Sequence, residues 1–252
     1  MGRFATTVPL YREFRPPYPT KFFRNAAQRL SLSRAHALID LGTGPGSIAL
    51  GFGPYVGRIV GVDPEPAMLA AARQAAAHAS QAFTLIEGKA EALPADIGTF
   101  DVVTIGRALH WMDRDGIARL FERLVAPGGA IVVCSSSSAA DGRNPWLETY
   151  NEARRFWSPP ANGQRQREAL ATVLRDTPFQ VTDVLKVETS HELTANDLAQ
   201  RVLTFSSSSP EVLADRVEPM LRDVGERLSP YGRGDRLTEI VVSTAQIARR
   251  MG

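Results

Sequence analysis

Lysine is almost absent from this chain: Lys21, Lys89 and Lys186 stand against 26 arginines. With 29 basic and 27 acidic side chains in 252 residues, the formal net charge is only +2. The arginines are dispersed among acids, and the longest basic runs are the pairs Arg154-Arg155 and Arg249-Arg250. A nucleic-acid surface needs clustered cations, so no nucleic-acid partner is expected. The single cysteine, Cys134, excludes a disulfide framework and a multi-cysteine zinc site. Four histidines (His36, His78, His110, His191) are scattered without an HExxH pair, so no metal is expected. No apolar run reaches the roughly 18 residues of a spanning helix. The N-terminus has no apolar signal core. Met1-Gly2-Arg3-Phe4-Ala5-Thr6 fits a loose acylation pattern, but one chain without a polybasic partner anchors weakly, and the match is read as chance. A cytoplasmic protein without a membrane partner is the expectation; its oligomeric state is left open.

What is present is a globular composition, 44% hydrophobic and 22% charged, with length enough for a full core. From Ala37 to Ser138 short apolar runs alternate with helical stretches. Strands are expected at Ala37–Leu41, Arg58–Asp63, Phe83–Glu87, Asp101–Ile105 and Ala130–Cys134, each bounded by Gly, Pro or Asp. Pro64–His78 and Ile117–Leu124 read as helices, the second ended by the turn Ala126-Pro127-Gly128-Gly129. Repeated βαβ units predict an α/β, doubly wound, Rossmann-like sheet, seven-stranded and mostly parallel, with helices on both faces and an inserted helical cap.

Beyond Ser138 the pattern changes. Asp141–Pro160 reads as irregular with a short helix, and Arg165–Arg175 as helical. Val181–Glu188 and Leu237–Ile247 read as strands, and Thr194–Phe205 and Pro210–Leu228 as helices. The expected organisation is one domain: cap helices over residues 1–36, a cofactor-binding core over 37–138, and a substrate-side insertion with C-terminal strands over 139–252.

The informative stretch is Asp40-Leu41-Gly42-Thr43-Gly44-Pro45-Gly46. A buried strand runs into a G-x-G-x-G turn and a helix follows, an arrangement that lets backbone N–H groups approach a ligand closely. The next strand ends in Asp63, 21 residues after Gly42. A carboxylate at that point can accept both hydroxyls of a ribose. The dinucleotide fingerprint is G-x-G-x-x-G, and here the third glycine comes one residue early.

On these residues the sequence resembles the class I S-adenosylmethionine-dependent methyltransferases, in particular the type-11 group with trans-aconitate-methyltransferase-like members. Gly61-Val62-Asp63-Pro64 with Met68, Gly88-Lys89-Ala90-Glu91-Ala92-Leu93-Pro94, Phe100–Val103 leading to Ala108–Asp113, and Ala126–Gly129 resemble its further motifs. Tyr11, Arg15-Pro16, Tyr18-Pro19 and Ser206–Pro210 resemble its cap.

The resemblance implies S-adenosylmethionine as cofactor, leaving as S-adenosylhomocysteine. Gly42, Gly44 and Gly46, with Asp40 and Thr43, would meet its methionyl part, and Asp63 its ribose. Pro64 and Met68 would lie against the adenine, and Ala90 and Glu91 would read its edge. Gly106 and Arg107 would face the ammonium. Lys89 departs from the family, which often carries an acid there, and a cation cannot accept from the adenine amino group.

The implied reaction is methyl transfer to a small molecule, with oxygen (carboxylate or hydroxyl) favoured and an activated carbon as the alternative. His110 is the candidate base, or else a stacking residue. Tyr11, Arg15 and Tyr18 form a lid over a carboxylate of cofactor or substrate, or a surface cap. Trp111, Trp146 and Trp157 are candidate acceptor walls, or core. Cys134 is read as an inert thiol, and Asp113 and Asp115 as helix caps. Two other readings remain: an NAD(P)-dependent oxidoreductase, disfavoured by the glycine spacing and the absence of a Tyr-x-x-x-Lys pair, and a cofactor-binding protein without turnover.

Overall fold

The computed structural model describes residues 7–79, 82–158 and 170–251. In chain order the elements are α1 (Val8–Phe14), α2 (Thr20–Arg29), β1 (Ala37–Leu41), α3 (Ser47–Phe52), β2 (Arg58–Asp63), α4 (Pro66–His78), β3 (Thr84–Glu87), β4 (Phe100–Gly106), α5 (Arg114–Leu124) and β5 (Val125–Ser138). Then follow α6 (Leu147–Trp157), α7 (Leu170–Val173), β6 (Phe179–Thr194), α8 (Ala195–Val202), α9 (Pro210–Leu213), α10 (Val217–Leu228) and β7 (Arg236–Arg250). The acylation-like hexapeptide and the first part of the expected helix Arg165–Arg175 lie outside the described residues.

The strands form one seven-stranded sheet in the order β3-β2-β1-β4-β5-β7-β6. The pairs β2–β3, β1–β2, β1–β4 and β4–β5 are parallel, and the sheet as a whole is mixed. The doubly wound α/β expectation holds, and its physical origin is visible in the strands. The central strands β1, β2 and β4 are buried nearly throughout, as strands covered on both faces must be. β6 and β7 instead alternate between buried and exposed positions, the signature of strands with one wet face.

Among the elements whose extents differ from expectation, three have a visible physical cause. β5 begins at Val125, not Ala130, because Val125 already pairs with Phe100 before the register jumps to Val102–Ala130. Ala126-Pro127-Gly128-Gly129 is therefore a bulge inside the strand, with Gly128 at φ +77° supplying the backbone that a side chain resists. β6 runs on to Thr194, six residues beyond the expected Glu188, and hands directly to α8 through a capping box of Thr194 and Asp197. The expected helix Pro210–Leu228 is interrupted at Ala214, where φ +52° and ψ −118° are not helical.

By contacts the chain divides into two compact units. The larger contains the described residues of Tyr18–Ser135, Arg165–Val187 and Ser243–Gly252. Two apolar clusters cover its sheet, one around Ile39, Phe100, Phe121 and Phe179, the other around Phe22, Phe52, Val102 and Val132. The smaller contains the described residues of Met1–Pro17, Ser136–Gln164 and Glu188–Val242, with a core around Trp146, Leu198, Met220 and Val224. No helix among the described residues is long and apolar enough to cross a membrane.

Candidate active site

The larger unit gathers most of the predicted positions at the carboxyl ends of β1, β2 and β4, where open α/β sheets place their ligands. After β1 the chain must turn sharply, and Gly42, Gly44 and Gly46 take φ values of +68°, +54° and +84° to do so. Gly42 and Thr43 donate their N–H groups to Val62 O, at 2.8 and 2.9 Å, which ties the loop to β2. A Cβ on Gly42 would overlap the Ala108 methyl, whereas around Gly44 nothing lies within 4 Å. The loop is thus packed on one side and open at its middle glycine.

Two carboxylates meet this loop. Asp63, at the end of β2, accepts from Gly44 N at 2.8 Å and from Glu65 N at 3.0 Å. Asp40 is 1% exposed and accepts from the hydroxyls of Thr43 and Thr104, each at 2.7 Å. Burial pushes the Asp40 carboxyl up from 3.8 to about 6; the two threonines oppose the rise, and Asp63 adds to it. Asp63 is raised too, mainly by burial. Thr104 escaped sequence reasoning; the one signal was a hydroxyl within the otherwise apolar run of β4.

The remaining positions are distributed as follows. Gly106 packs so tightly on Ile48 that a Cβ would come within 2.7 Å of it. Arg107 adopts φ +59°, donates its N–H to Cys134 O at 3.3 Å and holds its guanidinium 5.0 Å from the Tyr18 ring. His110 and Trp111 sit on a short turn after β4 with ring centroids 5.0 Å apart, and Trp111 is 51% exposed. Met68 is buried on α4, and Pro64 and Lys89 are exposed. Ala90 is buried, and Glu91 Oε1 accepts from Asp113 N at 2.7 Å, locking the start of α5. Asp113 caps that helix, accepting from Gly116 N. Asp115 lies in its first turn. Cys134 is buried, which pushes its thiol well above the ordinary range and leaves it unreactive.

Tyr11, Arg15, Trp146 and Trp157 belong to the smaller unit. There Arg15 lies 5.1 Å from the Tyr11 ring. Trp146 is 1% exposed and gives its one donor to Thr238 O at 3.0 Å, so it packs a core. Trp157 is half-buried and donates to Asp223 at 2.7 Å.

A cationic, ribose-bearing cofactor fits the site of the larger unit. Burial raises both Asp40 and Asp63, and Asp63 adds to the rise at Asp40. The loop beside them is stripped of side chains where a ligand would lie. Residues 39–133 match the type-11 Methyltransferase domain family.

Over that stretch the chain is similar to methyltransferase domains. The chain is 30% identical over 149 residues to an uncharacterized methyltransferase of Mycobacterium tuberculosis, covering 59% of this chain and 57% of that protein. It is 36% identical over 115 residues to a demethylmenaquinone methyltransferase of Thermus thermophilus, covering 44% and 52%. The chain thus spans just over half the length of these curated relatives. Two solved structures share the fold. One is a methyltransferase from Geobacter sulfurreducens in complex with S-adenosylhomocysteine (TM-score 0.60, 19% identity, 99% of this chain and 98% of that one). The other, from Thiobacillus denitrificans, is in the same complex (TM-score 0.61, 18% identity, 100% and 99%).

Proposed function

We propose that this protein transfers a methyl group from S-adenosylmethionine to a small-molecule acceptor. The observation that carries the reading is the pair of buried carboxylates, Asp40 and Asp63, bracketing a loop whose three glycines take left-handed conformations. Asp63 would hold the ribose, Gly42–Gly46 the methionyl chain, Met68 with Pro64 the adenine face, and Ala90 its edge. Glu91 reads that edge only by giving up its bond to Asp113 N. Gly106 and Arg107 end the strand that faces the ammonium.

When bound, the cofactor supplies an electrophilic methyl on a sulfonium. The chain's own contribution is alignment and exclusion of water, worth about 7–11 kcal/mol in well-oriented reactions. A carboxylate acceptor needs no base. A hydroxyl or carbon acid does, and His110 is the residue proposed for it. Oxygen is the preferred acceptor atom. The names of relatives such as the Thermus demethylmenaquinone methyltransferase favour a second reading, transfer to an activated carbon.

The test is a thermal-shift titration. S-adenosylhomocysteine raises the melting temperature and NAD and NADP do not; the reverse pattern rejects the assignment. Asp63→Ala removes bonds to a charged acceptor worth roughly 1.5–3 kcal/mol each, so affinity for S-adenosylhomocysteine falls at least tenfold. Methyl transfer from labelled cofactor into acids, phenols and activated carbon compounds then decides the acceptor atom.

A further inference from the structure

β1 and β4 run parallel with Asp40 directly opposite Thr104, so the two side chains leave the sheet on the same face. Both are buried, Asp40 at 1% exposure and Thr104 at 0%. The Thr104 hydroxyl donates to Asp40 Oδ1 and the Thr43 hydroxyl to Oδ2, each at 2.7 Å. Thr104 Oγ1 also lies 3.4 Å from Ile39 O. A hydroxyl has one hydrogen, and the shorter, charge-assisted bond to the carboxylate takes it.

As a tie between two strands this pair is expensive. The backbone ladder already joins β1 to β4 at Leu38–Val102, Ile39–Val103 and Asp40–Thr104. Valine at position 104 would fill the same space within the apolar run of β4. Asparagine at position 40 would engage both hydroxyls without burying a charge. What aspartate and threonine supply together is an anion held in place two residues before Gly42.

The groups that act on this anion come from several elements of the larger unit. Burial raises the Asp40 carboxyl to about 6, and the Thr104 hydroxyl is the strongest influence holding it down. Thr43 and the Ala49 backbone on α3 act in the same direction, and Asp63 on β2 opposes them. On β5 the Cys134 thiol is pushed up by burial, with Asp40 adding to the rise and Arg107 opposing it.

We propose that Thr104 is a positioning residue of the methyl-transfer site, its hydroxyl fixing Asp40 as the anion that balances the ammonium on the cofactor's methionyl part. The assignment rests on the S-adenosylmethionine reading above. Thr104 acts through Asp40 and touches no reacting atom. A protonated Asp40 offers the ligand no charge, so affinity for an ammonium falls as pH drops through the range of this carboxyl. Loss of the Thr104 hydroxyl raises the carboxyl further and moves that fall to higher pH.

The test is calorimetric titration of the full chain with S-adenosylhomocysteine, which carries the ammonium, and with adenosine, which shares its nucleoside and carries none. Thr104→Val weakens S-adenosylhomocysteine about fivefold or more at pH 6, and less than about twofold at pH 8.5. Thr104→Ser, which restores the donor, recovers most of the affinity at pH 6. Adenosine binds both variants as it binds the wild type. Asp40→Asn binds S-adenosylhomocysteine weakly at both pH values, and adding Thr104→Val to it removes nothing more. The proposal is overturned if Thr104→Val weakens S-adenosylhomocysteine equally at both pH values, as a merely structural role would, if it weakens adenosine as much, or if serine restores nothing. A wild type that binds no S-adenosylhomocysteine refutes the cofactor reading and this assignment with it. A wild type that binds it, matched by Thr104→Val at pH 6, refutes this assignment alone.

Discussion

Replacing Asp40 by asparagine should stabilise this protein at neutral pH and leave it unchanged in acid. Asp40 is buried and receives two threonine hydroxyls, yet desolvation outweighs both and sets its carboxyl at about 6 against an ordinary 3.8. A rise of roughly two pH units corresponds to about 3 kcal/mol in favour of the protonated form. The folded state thus holds this proton more tightly than the unfolded chain does. The resulting stability is fully present below about pH 4 and is lost as pH rises through about 6, after which the ionised carboxylate is a standing cost. An asparagine in its place has no charge to desolvate. Its carbonyl can keep one threonine donor, and its amide can donate to the other hydroxyl once that group rotates. Urea denaturation of wild type and Asp40→Asn should give equal unfolding free energies near pH 4, and about 3 kcal/mol in favour of the variant at pH 8. Because Asp63 pushes in the same direction, the difference between the two proteins, not the wild-type curve alone, isolates Asp40. Equal differences at both pH values, or a variant weaker at pH 8, would refute the reasoning. Affinity for S-adenosylhomocysteine should fall in the same variant, since the charge that burdens the fold is the one offered to the ligand.

Other outcomes follow from the same geometry. Gly44→Ala should cost about 1–2 kcal/mol, the strain of a left-handed alanine, because its side is open. Gly42→Ala should cost distinctly more, because it adds overlap with Ala108; equal costs by denaturation would contradict the packing described. Arg201→Met should destabilise by about 3–5 kcal/mol by leaving Glu239 buried and unpaired. The double change Arg201→Met with Glu239→Leu should recover most of that loss, measured by the same unfolding curves. For His110→Ala, a depressed turnover whose pH profile loses its acid limb supports the base role, and undiminished turnover at every pH ends it.

The α/β fold was legible because buried parallel strands leave runs such as Leu38–Leu41 and Val102–Ile105, which local physics alone confines to a covered sheet. The glycine loop and Asp63 were legible for a similar reason. The loop demands φ values that only glycine adopts freely, and a strand-terminal acid sits at a fixed distance along the chain. The lengths of β5 and β6 were not legible. Pro127 and the glycines beside it read as a break, and only the partner Phe100 reveals that Val125 lies in the strand before a bulge. Trp146 shows the same limit, since sequence could not separate a pocket wall from a core residue, and its bond to Thr238 did.

By itself, then, the sequence determined which backbone could turn, which strands could be buried and where an acid would end the second strand. Those are local constraints on φ, hydropathy and spacing. Only the tertiary structure decided that Thr104 braces Asp40, that Asp63 adds to the cost of charging Asp40, and that Arg201 pairs with Glu239 from a distant segment. Burial and charge pairing depend on what lies opposite in space, and residues far apart in the chain carry no mark of each other until they fold together.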